Sequence, residues 1–498
     1  MIKPLSRRHF LSSAAMFLAA PACANAPAQS LRPVDRGSRP TAQPPRATKT
    51  AEQLVQSSGL TGRTAYAVAD PASGQILEIK DEIGGLPPAS VMKSITAAYA
   101  LARLGPARRF ETHIIARGTL EGDTLKGDLI LAGGGDPTLD TDALADMVRR
   151  LKETGLRHVS GGFFVWGGAL PFITEIDRNQ PDHVGYNPAI CGLALNFNRV
   201  HFEWKKQGNQ WATSMDARSD TLRPEVRIAR MAIVSRSLPV YTYKDSSGID
   251  SWTVSREALG QGGSRWLPVR APDLYAGEVL RVLARAQGIT LEKEQRATTA
   301  PSGPVLVRRA SEPLTEILRD MLKHSTNLTA EMVGLAATKA SGTAVTSIAA
   351  SAAGMQAWAE QQLGMRNPKF VDHSGLGDAS HITTSGMVSA MIAAERFGLT
   401  ALLKDIPLRD ERGKVNKAHP LQVIAKTGTL NFTSTLSGFA TTAQGKRLVF
   451  AIFSIDAAAR RKIKTEEREN PPGAAAWNKK AKRLQQALLE HWAVAYSA

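Results

Sequence analysis

A chain of 498 residues with 43% hydrophobic and 21% charged side chains has the composition of a folded protein of two or three domains, which excludes a disordered or fibrous chain. It holds two cysteines, Cys23 and Cys191, too few for a disulfide scaffold or a cysteine-based metal cluster. The formal net charge of +17 leaves open an anionic polymer as partner or simply a solvated basic surface. In chain order, Lys3, Arg7 and Arg8 precede an apolar run from Phe10 to Ala20 and a small-residue site at Ala24-x-Ala26, the pattern of a secretory signal over residues 1–26. Ser6 to Leu11 also fits the twin-arginine pattern. Loss of its three cations leaves +14 on the mature chain, and export argues against nucleic acid as the partner. Residues 27–50 are rich in Pro, Arg, Ala and Thr without periodicity and read as a linker. No later apolar run reaches the roughly 20 residues a membrane span needs, so no span is expected in the mature chain.

The first folded segment opens with strand signals at Thr64 to Asp70 and Gln75 to Lys80 around the turn Pro71-Ala72-Ser73-Gly74. Pro88-Ala89-Ser90-Val91-Met92-Lys93 follows as the opening turn of a helix carried on by Ile95, Ala98 and Leu101. From Phe110 the pattern becomes short alternating runs: Glu111 to Arg117, Gly127 to Leu131, His158 to Trp166, Leu195 to Glu203, Glu225 to Val234 and Ser251 to Arg256. They predict a β-rich insert over 110–299 within a domain formed by 51–109 and 300–498. Gly133-Gly134-Gly135-Asp136-Pro137 lacks the Gly-Lys-Ser/Thr ending of a phosphate loop and reads as a tight turn. Helices are expected at Asp273 to Gln287 and at Glu312 to Lys323, the second N-capped by Ser311 with a stripe of Leu314, Ile317, Leu318 and Met321. His324-Ser325-Thr326-Asn327 connects it to another helix. A polar loop from Phe370 to Asp378 comes next, then Val423-Ile424-Ala425 leads into Lys426-Thr427-Gly428-Thr429. Strands at Leu436 to Thr441 and Arg447 to Ile455 and an amphipathic helix from Ala474 to Ala495 complete the chain.

Positions i and i+3 share a helix face, so Ser90 and Lys93 can hydrogen-bond. A serine alcohol becomes a useful nucleophile when an adjacent base takes its proton. Lysine serves as that base if burial and a neighbouring cation favour its neutral form, so a second cation is expected nearby. Ser-x-x-Lys is expected about once or twice by chance in a chain this long. Here it occurs once, as do Ser325-x-Asn327 and Lys426-Thr427-Gly428. The three lie in a fixed order on a helix, an inter-helix connection and a strand.

This set resembles the penicillin-recognising serine acyltransferases. The long interval between Ser90 and Ser325 resembles that of the class C low-molecular-mass penicillin-binding proteins, which are D-alanyl-D-alanine carboxypeptidases and endopeptidases. Gly127 to Leu129, Gly133 to Leu139, Asn196 to Val200, Asn327 to Glu331 and Asp372-x-Ser374-Gly375-Leu376 look like the same family. His373 stands where that family usually has glycine. The resemblance implies an α/β (α+β) fold: a transpeptidase/β-lactamase-like domain with an antiparallel sheet flanked by helices, interrupted by β-rich inserted domains. It implies no metal and no organic cofactor, and as partners the peptidoglycan stem peptides and β-lactam antibiotics. The expected location is the periplasm.

By the same resemblance Ser90 attacks the carbonyl of the penultimate D-alanine and Lys93 takes its proton. Ser325 passes a proton to the leaving amine, Asn327 orients Lys93 and the substrate amide, and Lys426 is the second cation. Thr427 and Lys426 hold the terminal carboxylate, Gly428 lies in the strand that pairs with the substrate, and the N–H groups of Ser90 and Thr429 form the oxyanion hole. Asp136 is expected to help bind the peptide stem. A β-lactamase-like hydrolase shares the acylation step and differs in losing its penicilloyl adduct within seconds. A catalytically idle wall-binding protein is the reading from another class, against which the complete catalytic set argues.

Overall fold

The computed structural model describes residues 49–80, 84–464 and 467–497. The expected leader at 1–26 and all of the expected linker except Lys49 and Thr50 lie outside the described residues. Thr50 caps the helix Ala51–Ser57, its hydroxyl accepting from the Gln53 N–H while the Gln53 side chain accepts from Thr50 N–H, a reciprocal box that satisfies two end donors at once.

One six-stranded antiparallel sheet carries the site. Its strands are β1 (Arg63–Ala69), β2 (Ile76–Lys80), β3 (Lys404–Asp405), β4 (Gln422–Leu430), β5 (Thr433–Thr441) and β6 (Arg447–Ile455), in the spatial order β3-β4-β5-β6-β1-β2. The apolar runs of β1 and β6 place them centrally, where both faces are covered; all of β1 but Arg63 is buried. On one face pack α1 (Met92–Leu104), α2 (Leu314–His324) and α3 (Asn327–Ala340) with the helices Ile348–Leu363 and Thr384–Ala394; on the other packs α4 (Ala474–Ala495) through Leu484, Leu488, Leu489 and Trp492. Strand β5 begins at Thr433, three residues before the first apolar position of its predicted run. Its polar opening is buried because it is satisfied: Gln485 donates to Ser434 Oγ at 3.1 Å and Thr435 Oγ1 donates to Pro88 O at 2.8 Å. Helix α2 begins at Leu314, and Ser311 is not its cap. That serine is buried, accepting from Phe110 N–H and donating to Glu312 O.

Between Ile114 and Val307 a separate hydrophobic cluster forms. Its larger sheet runs in the order Glu294–Arg296, Phe163–Trp166, Thr124–Gly133, Glu111–Glu121, Val305–Ala310, and two three-stranded sheets accompany it. Helices Thr141–Glu153 and Pro272–Ala286 pack on this region; only the second was expected from sequence. Among the described residues no helix is long and apolar enough to cross a membrane, and no group of His, Cys, Asp and Glu could hold a metal. Cys191 is free and buried.

Candidate active site

Ser90 lies in a single 3₁₀ turn, Ala89–Val91, that runs directly into α1. Ala89 has φ +47°, a left-handed conformation that costs an alanine energy. The turn is held from three sides. Gly375, at φ +72°, approaches so closely that a Cβ there would fall 1.9 Å from Ala89 O; a Cβ on Gly428 would fall 2.9 Å from Ser90 N; and Thr435 holds Pro88 O. Glycine at 428 thus lets strand β4 approach the main chain of the serine.

Lys93, one helical turn on, is fully buried. Its Nζ donates to Ser90 Oγ at 3.0 Å, Asn327 Oδ1 at 2.7 Å and Ser374 O at 2.7 Å, which uses all three ammonium donors. Burial pushes its pKa down to about 8, against the opposing pull of the Asp372 and Glu331 carboxylates. Lys426, on β4, is also fully buried and donates to Ser325 Oγ at 3.0 Å and Thr427 O at 2.6 Å. Its pKa is lowered well below the ordinary lysine range by burial first, then by Lys93 and Lys404. Each lysine therefore sits beside one serine hydroxyl, and the charge of Lys93 disfavours the charged form of Lys426.

Ser325 ends α2 with φ +59°, and Asn327 is the first residue of α3. That left-handed step turns the chain sharply between the helices and presents both side chains to the two lysines. Asn327 also donates from Nδ2 to Tyr186 O at 3.1 Å, so the β-rich insert contributes a main-chain contact to the set. Ser90, Lys93, Ser325, Asn327 and Lys426 are thereby joined in two hydrogen-bonded groups. Thr427, Gly428 and Thr429 follow Lys426 on β4. The short β3 pairs only with Ile424 and Ala425, leaving the outer edge of 426–430 without a strand partner among the described residues.

Asp136 is not joined to this set. It is buried, its Oδ1 accepts from the N–H and hydroxyl of Thr138, and its Oδ2 has no partner. Its contacts are those of a turn-stabilising residue.

Beneath the lysine lies a layer that sequence reasoning did not assign. Glu331, fully buried on α3, accepts from His373 N–H at 3.2 and 3.1 Å and from Ser374 N–H at 2.9 Å, fixing the loop whose Ser374 carbonyl receives Lys93. Asp372 accepts from the N–H groups of Gly375 and Gly377 at 2.8 and 2.7 Å. Burial raises the pKa of both carboxyls. His373 fits because Gly334 leaves room, since a Cβ there would lie 2.2 Å from the ring. Its Nε2 pairs with Ser351 Oγ at 2.8 Å, and burial holds its pKa down at about 3. The ring is thus a neutral packing element of the loop. The signal for this layer was present in the family-like runs Asn327 to Glu331 and Asp372 to Leu376, but burial, which gives it meaning, is not a local property.

Comparison with known proteins agrees with this geometry. The family model described as "D-Ala-D-Ala carboxypeptidase 3 (S13) family" matches residues 47–469. The chain is 24% identical over 392 residues to the D-alanyl-D-alanine carboxypeptidase DacB of Haemophilus influenzae, covering 73% of this chain and 79% of that one. It is 25% identical over 439 residues to the D-alanyl-D-alanine carboxypeptidase of Actinomadura sp. strain R39, covering 80% and 79%. The crystal structure of penicillin binding protein 4 (dacB) from Haemophilus influenzae superposes with a TM-score of 0.71 at 19% identity, over 89% of this chain and 100% of that one; its complex with a novel β-lactam gives 0.68. The fold is therefore that of penicillin-binding proteins, with the antiparallel sheet and flanking helices expected from the motifs. A match spanning most of the chain and carrying the paired Ser–Lys geometry makes this protein a serine peptidase hydrolase that belongs to the D-Ala-D-Ala carboxypeptidase 3 (S13) family.

Proposed function

We propose that this protein is a D-alanyl-D-alanine carboxypeptidase that acts on peptidoglycan stem peptides through an acyl-enzyme on Ser90, and that penicillin inhibits it by forming the same ester. The observation that carries the reading is the pairing of two buried lysines with two serine hydroxyls, Lys93 with Ser90 and Lys426 with Ser325, each at 3.0 Å. Neutral Lys93 accepts the Ser90 proton as Oγ bonds to the carbonyl carbon of the penultimate D-alanine. The N–H groups of Ser90 and Thr429 take up the oxyanion charge, a contribution whose loss typically costs about 100-fold or more in rate. On collapse of the tetrahedral intermediate the C–N bond breaks, and Ser325 passes a proton to the leaving amine and regains one through Lys426. Asn327 holds Lys93 and the substrate amide; Lys426 and Thr427 hold the terminal carboxylate. Water then attacks the ester. The ester C–O bond to Ser90 breaks as Lys93 returns its proton to Oγ, and the proton lost by the water restores Lys426, which leaves both lysines as they began. Cleavage of a cross-link beside a D-alanine carbonyl, an endopeptidase reaction, needs the same steps and room for a longer leaving group.

The proposed location is the periplasm, supported by Arg7 and Arg8 ahead of the apolar run to Ala20. The reading is tested by D-alanine release from a synthetic stem pentapeptide. The wild type should release it and Ser90→Ala should not, with an unchanged circular dichroism spectrum. Release by folded Ser90→Ala would remove Ser90 from the role.

A further inference from the structure

A groove of about 1250 Å³ lies along the far side of the catalytic strand, bounded by Thr427–Thr429 of β4, Ser434–Leu436 of β5, the segment 404–413 and α4. Residues 423 and 425 of β4 pack with α4, whereas Ile424 packs on the opposite face. By strand alternation Thr427 and Thr429 therefore also face α4 and the groove. Its wall is cationic. Lys479, Lys482 and Arg483 project from α4, and Lys404 projects from β3. Among the described residues no carboxylate lies within ion-pair distance of these four; Lys404 Nζ donates to Lys323 O at 3.3 Å. The acids that line the groove are Asp405, Asp410, Glu411 and Glu490. Two are already engaged: Glu490 pairs with His419 and accepts from Gln486, and Asp410 accepts from Lys414 N–H.

The direction of the substrate brings this wall into use. In the reaction above the cleaved carbonyl sits at Ser90 and Thr429 and the leaving residue sits at Lys426 and Thr427, so the peptide runs antiparallel to β4. A chain continuing past the leaving residue reaches Ala425, where the edge is already occupied by Lys404 of β3. It cannot go on pairing with β4 and must turn off the edge. Lys404 stands at that turn, close enough to Lys482 and to Lys426 for mutual repulsion. With Arg409 and Arg412 the lining holds six cations against four carboxylates. This excess, with four of the six outside any ion pair among the described residues, suits a chain that brings carboxylates with it to the exit of the leaving group.

We propose that this groove is a binding subsite for an anionic, carboxylate-bearing peptide attached through the leaving amine, such as the second stem of a cross-linked pair, with Lys404, Lys479, Lys482 and Arg483 setting the preference. The proposal rests on the carboxypeptidase reading and adds a specificity device for what lies beyond the cut. Exposed cations each contribute modestly, so removing two should change the preference by about tenfold.

The experiment compares two synthetic substrates with the same acyl stem. One has D-alanine as leaving group; the other has a tripeptide carrying three carboxylates. The full chain should cleave the anionic substrate with the higher kcat/KM at low ionic strength. In K479Q/K482Q the ratio of the two kcat/KM values should fall about tenfold towards the D-alanine substrate, and 0.5 M salt should remove most of the wild-type preference. An unchanged ratio in the variant, or a wild-type preference insensitive to salt, overturns the proposal while D-alanine release leaves the carboxypeptidase reading standing. Cleavage of neither substrate overturns that reading and the proposal with it. A K479E/K482E variant that keeps the wild-type ratio would also contradict the subsite.

Discussion

The chemistry of Ser90 depends on how often Lys93 is neutral, and that is set by its surroundings. In water a lysine at pH 7 is neutral about once in three thousand molecules; at a pKa of about 8 the fraction rises to about one in ten. Burial lowers the value, while Asp372 and Glu331 limit the shift. The sign is fixed: Lys93 must lose its proton to act, so acylation by a penicillin should speed up as pH rises through about 8 and then level off. Stopped-flow acylation between pH 6 and 9.5 checks this. A rate that falls with rising pH across that range would show that the charged amine is the working form.

At the scale of elements, the nucleophile is a joint between a strand and a helix. The 3₁₀ turn at Ala89–Val91 is tied to the sheet by a hydroxyl on β5, because Thr435 Oγ1 donates to the buried Pro88 carbonyl, which also accepts from Val91 N–H within the turn. Thr435→Val keeps the shape and removes one of two donors, leaving that carbonyl with the Val91 N–H at 3.2 Å, at a cost of about 0.5–1.5 kcal/mol. We expect a lower urea midpoint together with slower acylation at unchanged pH dependence; a destabilised variant with wild-type acylation would mean that the turn holds its shape without this bond. The same contact explains why β5 was read three residues short. Thr433, Ser434 and Thr435 look like a polar turn in sequence and are buried in the fold because a helix and a loop satisfy them. The pairs at i and i+3 or i+2, Ser90 with Lys93 and Ser325 with Asn327, were legible because their geometry is local. Glu331, Asp372 and the Tyr186 carbonyl were not assigned, since they act through burial or main-chain atoms brought from distant parts of the chain. Helix Thr141–Glu153 was overlooked inside a segment whose alternating runs favoured strands.

At the scale of the molecule, the site is assembled from the whole length of the described chain. Strand β1 pairs with β6, α4 from the far end covers the same sheet, and the β-rich insert reaches the site through Tyr186 O and Asn327. This order makes the three motifs, with 231 residues between Lys93 and Ser325 and 98 between Asn327 and Lys426, useful only once folded, and it makes a single covalent event a test of the entire arrangement. That event is acylation. Intact mass of the protein after brief exposure to a penicillin, followed by peptide mapping, is therefore the most direct measurement. The account predicts one penicilloyl adduct, placed on the peptide holding Ser90 and absent from Ser90→Ala. No adduct with the antibiotic left intact, or an adduct on another residue, would contradict the assignment of Ser90 and Lys93 as nucleophile and base.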